Sequence, residues 1–145
     1  MNRERIGAIL LVPGRTAVLI LAFIVAGCAM GNRDVVVKPG SGFDRKIPAI
    51  ILADHGDPDG VKSILEDRFR AHGFFIVSGM NEDPKFVIRF RYTSLLGQGI
   101  RDFEAAIFPA PGGDPIAHLR FQGRGMVDTN AMAEDLIARL EAQLK

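Results

Sequence analysis

The stretch Phe86-Val87-Ile88-Arg89-Phe90-Arg91-Tyr92 alternates without a break. Phe86, Ile88, Phe90 and Tyr92 fall on one side, and Val87, Arg89 and Arg91 on the other. Successive side chains of a strand point to opposite faces, so this pattern predicts a strand with one buried and one wet face. Such a strand needs paired neighbours and a cover. Ile116–Gln122 repeats the alternation, with Ala117, Leu119 and Phe121 opposite Ile116, His118, Arg120 and Gln122. Phe103–Phe108 lies between the two, and Pro109–Asp114 reads as a hairpin turn. Thr93–Asp102 reads as a loop, and Gly123-Arg124-Gly125 as the end of the last strand.

Two helical patterns supply the cover. Val61, Ile64, Leu65 and Phe69 share one helical face, with Arg68 and Arg70 near the end and Gly73 as the stop. Asp57-Pro58 before it reads as an N-cap followed by a first-turn proline. Ala133, Leu136, Ile137, Leu140 and Leu144 form the second face, capped at Asp128, Thr129 or Asn130. Ile47–Ala53 and Phe74–Val77 are short apolar runs that read as strands on either side of the first helix. The order is β-α-β-β-β-β-α. It predicts an α+β two-layer sandwich: a mixed, mostly antiparallel sheet with two helices on one face, spanning residues 47–145.

With 145 residues the chain has room for one domain. Its 18 Lys+Arg against 17 Asp+Glu exclude nucleic-acid binding by bulk basicity. A single Cys excludes an internal disulfide and any multi-cysteine metal site.

Residues 1–27 differ from the rest. Arg3, Arg5 and Arg15 face the single acid Glu4, and the uncharged run Thr16–Gly27 then ends at Cys28. A basic start, an apolar run and small residues at its end form a secretory signal. The run is shorter than the ~20 residues that span a bilayer. Removing residues 1–27 takes the formal charge from +1 to −1. Residues 28–46 read as a tether, broken by Pro39-Gly40-Ser41-Gly42, in which Val35-Val36-Val37 has the makings of a short edge strand.

Val25-Ala26-Gly27-Cys28 resembles the lipobox of bacterial lipoprotein precursors. The resemblance implies a diacylglyceryl group on the Cys28 thiol, cleavage before Cys28 and acylation of the new amino group. The covalent lipid is the only prosthetic group implied, and the membrane is the first partner. Ala29 stands where Asp signals inner-membrane retention, which implies the outer membrane, on its periplasmic face. The strand and helix order is similar to small Gram-negative envelope lipoproteins of unknown function, and more distantly to lipopolysaccharide-assembly and penicillin-binding-protein-activating lipoproteins. The expectation is a non-catalytic interaction module for an envelope protein or glycolipid. The alternative class is a small periplasmic hydrolase or metal-dependent enzyme.

Residue chemistry discriminates between them. His55-Gly56-Asp57-Pro58-Asp59-Gly60 partly matches a calcium loop, but His55 takes the first position, where Asp is required. The same acids serve equally as helix caps. His55, His72 and His118 are scattered, and no G-x-S-x-G elbow is present. No catalytic or metal-ligating set is therefore assigned. Two candidate contact surfaces remain. Arg89, Arg91, His118 and Arg120 share the outward face of the sheet and would form an anion or partner patch if their strands were neighbours. The alternative, which charged outer faces favour, is a solvated face paired with Glu104 and other acids across strands. Leu95, Leu96 and Ile100 place large apolar side chains in a glycine-containing loop suited either to a partner or membrane or to folding back over the edge of the core.

Overall fold

The computed structural model describes residues 31–95 and 97–145. The signal segment, Cys28 and Leu96 lie outside the described residues. The elements are β1 (Asn32–Val37), β2 (Ala49–Ala53), α1 (Val61–Ala71), β3 (Ile76–Val77), a single 3-10 turn (Met80–Glu82), β4 (Phe86–Leu95), β5 (Gly99–Pro109), β6 (Ala117–Val127) and α2 (Thr129–Gln143). They build one open six-stranded sheet in the order β1-β6-β5-β4-β2-β3. β2 runs parallel to β3 and β4, and the remaining pairs are antiparallel. The α+β class and the mixed sheet are those the alternation predicts.

The core lies between sheet and helices. Phe86, Ile88 and Phe90 of β4, Phe103, Ala105 and Ile107 of β5, and Ala117, Leu119 and Phe121 of β6 meet Leu65 and Phe69 of α1 and Leu136, Ile137 and Leu140 of α2. No polar or charged side chain is buried among the described residues. α1 ends as a Schellman motif: Gly73 (φ 81°) donates to the Arg70 carbonyl and Phe74 to that of Phe69. The Phe69 and Phe74 rings meet edge-on at 5.1 Å, closing the same turn.

Four expectations are corrected. First, the tether is not free over its length. β1 joins the sheet beside β6 from Asn32 onward, and Phe43 is buried against Phe74 and Phe86, with ring centroids at 6.0 and 5.1 Å. Second, Thr93–Asp102 is not a long loop. β4 and β5 stay paired almost to their tip, across a bulge at Thr93/Ser94, with Leu95 opposite Gly99. Third, Gly123-Arg124-Gly125 does not end β6. Gln122 pairs with Asp102 and Val127 with Ile100, so the glycines form a bulge that absorbs the surplus residues. Fourth, Pro58 does not begin α1. Gly60 (φ 68°) turns the chain first, and the helix starts at Val61.

β1 leaves an open edge, which is a template for further strands. α2 covers part of it with one side chain. Gln143 accepts a hydrogen bond from the Val37 amide at 2.9 Å, and its own amide donates to the Val35 carbonyl. The side chain thus imitates a neighbouring strand. Gln143→Ala is expected to cost about 1 kcal/mol, since water can partly replace the two hydrogen bonds at this half-exposed edge. It should also raise the tendency to self-associate. Denaturant unfolding and light scattering of the two proteins at equal concentration check both effects.

Candidate interaction surface

The sheet face away from the helices carries the predicted cationic residues, and all four point outward, exposed. Their strands are not neighbours, because β5 lies between β4 and β6. In register, Arg91 stands opposite Glu104, Glu104 opposite Arg120, and Arg120 opposite Asp34. The face is therefore not a purely basic patch but a row of alternating sign across four strands, with the cross-strand pairing to Glu104 that the alternative reading expects. Arg91 donates to one oxygen of Glu104 through Nε at 2.9 Å and Nη2 at 2.5 Å. Arg89 Nε donates to Asp54 at 2.6 Å. Arg120 and His118 make no hydrogen bond or ion pair among the described residues, while both Arg91 bonds go to one oxygen of Glu104. A parallel row runs Leu52, Arg89, Ala106, His118 and Val36. A shallow depression of about 440 Å³ opens on this face between His55, Arg91, Asp102, Arg120 and Gln122.

Exposed apolar side chains gather at the margins. Val36 lies on the β1 edge, Phe75 and Met80 beside β3 at the opposite edge, and Leu95 and Met126 at one end of the sheet. Ile100 does not belong to that surface. It sits on β5 and is fully buried, because the hairpin's pairing turns it into the core. Of the predicted apolar loop, Leu95 alone is described and exposed.

The turn before α1 is held to β4 by a polar cluster. The Asp57 carboxylate accepts from the amides of Val61 and Lys62 at 2.8 and 2.9 Å, capping α1 from three residues before its cap position. The Tyr92 hydroxyl donates to Asp57 at 2.8 Å and accepts from the Asp59 amide at 3.3 Å, and the Ser94 hydroxyl donates to Asp59. Burial pushes the Tyr92 hydroxyl up to about 12. It stays protonated and donating at any physiological pH. The acids of the calcium-like turn are engaged in capping and anchoring. Among the described residues, no cluster of three or more His, Cys, Asp and Glu is arranged to hold a metal ion.

A second polar cluster joins the helices. His72, at the end of α1, meets two carboxylates of α2: Nδ1 lies 3.0 Å from Glu141 and Nε2 2.8 Å from Glu134. Arg45 donates to the other Glu141 oxygen at 2.9 Å. Neutral imidazole has one N–H, so only the imidazolium satisfies both acids. Burial alone lowers the His72 pKa, but the hydrogen bonds to Glu141 and Glu134, with their charge, outweigh it and hold the group above 6.5. A folded pKa above the unfolded value gives stability that is full below pH 6.5 and lost as pH rises through the folded pKa. The melting temperature is therefore expected to fall over that window, and His72→Gln should flatten the fall. Thermal scans at several pH values and fixed ionic strength check this.

Sequence reading missed the Gln143 edge contact, the His72 seam and the anchored turn, because each joins residues far apart in the chain. Met126 had a local signal. Met126-Val127 restores apolar side chains after Gly125, which marks a bulge rather than a stop.

Among the described residues no helix is long and apolar enough to cross a membrane. No protein-family model matches the chain, and no curated protein does. Solved structures do. A variant PelC dodecamer from Paraburkholderia phytofirmans is 16% identical, covers 79% of this chain and 98% of its own, and superposes with a TM-score of 0.52. An uncharacterized lipoprotein B from Nitrosomonas europaea is 19% identical over 68% of this chain and 73% of its own, with a TM-score of 0.32. A minor lipoprotein from Acinetobacter baumannii is 15% identical over 66% of this chain and 88% of its own, with a TM-score of 0.34. What the chain shares with PelC is its fold.

Proposed function

We propose that this chain is the precursor of a lipid-anchored envelope protein that works without catalysis, by holding other molecules against its sheet. One observation carries the reading. The lipobox Val25-Ala26-Gly27-Cys28 ends four residues before β1, which is paired with β6 from Asn32 onward. A lipid on Cys28 leaves no long leash, so the domain stays at the membrane surface. Two or three acyl chains anchor a protein stably, where one holds it only marginally. Ala29 favours the outer membrane, with the body on its periplasmic face. Mass spectrometry of the protein purified from its own membrane tests the reading. The expected first residue is Cys28, carrying the mass of a diacylglyceryl group and an amide-linked acyl chain. An intact Met1 with a free thiol overturns it.

The partners fall into two kinds. The alternating row Arg91, Glu104, Arg120 and Asp34, with Arg120 unpaired, suits an envelope protein or a glycolipid bearing phosphate or carboxylate groups. Copies of the chain itself are the second kind. Exposed Val36 lies on one edge of the sheet and exposed Phe75 and Met80 beside the other. Joining unlike edges head to tail generates rings when the rotation closes. The PelC structure that shares this fold is a dodecamer. Sedimentation of the soluble domain, with and without Phe75→Ser, separates self-assembly from a monomer that binds other molecules.

A further inference from the structure

We propose that the tip of the β4–β5 hairpin, with the β6 bulge beside it, is a second membrane contact in which Leu95 and Met126 enter the lipid headgroup layer. The inference rests on the lipid-anchor reading of Cys28 and adds a specific orientation to it.

The argument begins with the joint between anchor and body. Gly31 has φ 68°, and a Cβ there would lie 2.0 Å from the Gln122 carbonyl oxygen. The backbone is therefore packed directly on β6 at Gly31. Three residue steps separate Gly31 from Cys28, which an extended chain covers in ~10 Å. The end of the sheet where β1 starts is thus held within about that distance of the acyl chains.

Strand register identifies what else occupies this end. Asn32 pairs with Gln122, Gln122 with Asp102 and Asp102 with Thr93. β4 continues past Thr93 to Leu95, which at the rise of a strand is ~7 Å further toward the membrane. Leu95 thus lies about one residue step, ~3 Å, beyond the level of Gly31, well within the reach of the leash. The bulge Gly123–Met126 of β6 protrudes at the same end. A Cβ on Gly99, opposite Leu95, would lie 2.4 Å from the Val127 carbonyl oxygen, so hairpin and bulge are in direct contact. Among the described residues, the two large apolar side chains exposed here are Leu95 (52%) and Met126 (37%). Arg101 and Arg124 flank them, exposed, at headgroup height. Asp102 lies 3.9 Å from Arg101 and offsets part of the charge, so the apolar pair carries the contact.

The chain has no tryptophan, which makes an inserted one a clean reporter. Leu95→Trp is made in the full precursor, which is processed and acylated in a bacterial host. The product is reconstituted in phosphatidylethanolamine/phosphatidylglycerol vesicles containing nitroxide-labelled phosphatidylcholine. Phe75→Trp is the comparison. Phe75 is bonded to Ala49 at the far end of the sheet, some 25–30 Å away at ten residues of strand. Gln98→Trp is a second tip probe. The expected result is a blue shift and loss of most of the emission for Leu95→Trp and Gln98→Trp, with Phe75→Trp unaffected. If the acylated protein shows no quenching at either tip position, or equal quenching at all three, the contact is overturned while the anchor stands. If Cys28 proves unmodified, the anchor reading fails and the inference falls with it.

Discussion

On the proposed lipid anchor, cells making Cys28→Ser in place of the natural chain are expected to lose the protein from the membrane fraction that holds the natural one and to accumulate it uncut. The serine hydroxyl is not a substitute for the thiol in diacylglyceryl transfer. Without that lipid the following cleavage has no substrate, so residues 1–27 should remain attached. The folded domain itself should be unaffected. Gly31 packs on β6, and β1 pairs with β6 from Asn32 on, so the fold is held by residues other than Cys28. The soluble part of Cys28→Ser should therefore melt at the same temperature as that of the natural protein. The experiment separates address from fold: fractionation and mass should change completely, and unfolding not at all. A Cys28→Ser product of unchanged size, still in that membrane fraction, would show that the apolar run Thr16–Gly27 anchors the chain by itself.

The parts of the fold that were legible in the sequence are those governed by local periodicity. Alternation over Phe86–Tyr92 and Ile116–Gln122 assigned each side chain to a face, and the burial of Phe90, Leu119 and Phe121 follows it. The two helical stripes were equally plain. The misread segments all involve glycine or proline, whose local meaning depends on distant partners. Gly123 and Gly125 look like a strand's end. In the fold Gly123 is where backbones crowd: a Cβ there would lie 2.6 Å from the Gly125 oxygen and 3.0 Å from that of Arg101. Pro39–Gly42 looks like free linker, yet it returns Phe43 to the core after β1. The candidate surface was half legible. Faces followed from alternation, so Arg89, Arg91, His118 and Arg120 were correctly placed outward. Strand order is a non-local property, and it puts Glu104 between the arginines.

That dependence on alternation can be tested by removing one residue from each face of the same strand. Phe90 is almost fully buried, stacked on Phe103 and Tyr92 with ring centroids 5.9 and 6.2 Å away. Phe90→Ala leaves a void at the centre of the sheet, between strands on both sides that cannot close over it. Large-to-small aromatic changes in cores cost about 3–5 kcal/mol. Such a loss consumes a large share of the ~5–15 kcal/mol that keeps a domain of this size folded. The variant should unfold at much lower denaturant, with the slope of the transition unchanged. Arg91→Ala, one residue along, removes an exposed, solvent-screened pair with Glu104 and should leave the unfolding midpoint almost unchanged. A shift of one residue in register would exchange these outcomes, because it moves every side chain to the other face. Equal effects at the two positions, or a larger one at Arg91, would therefore refute the sheet's assignment of faces. They would also remove the charged row Arg91, Glu104, Arg120 and Asp34 from the surface on which the proposed partners dock.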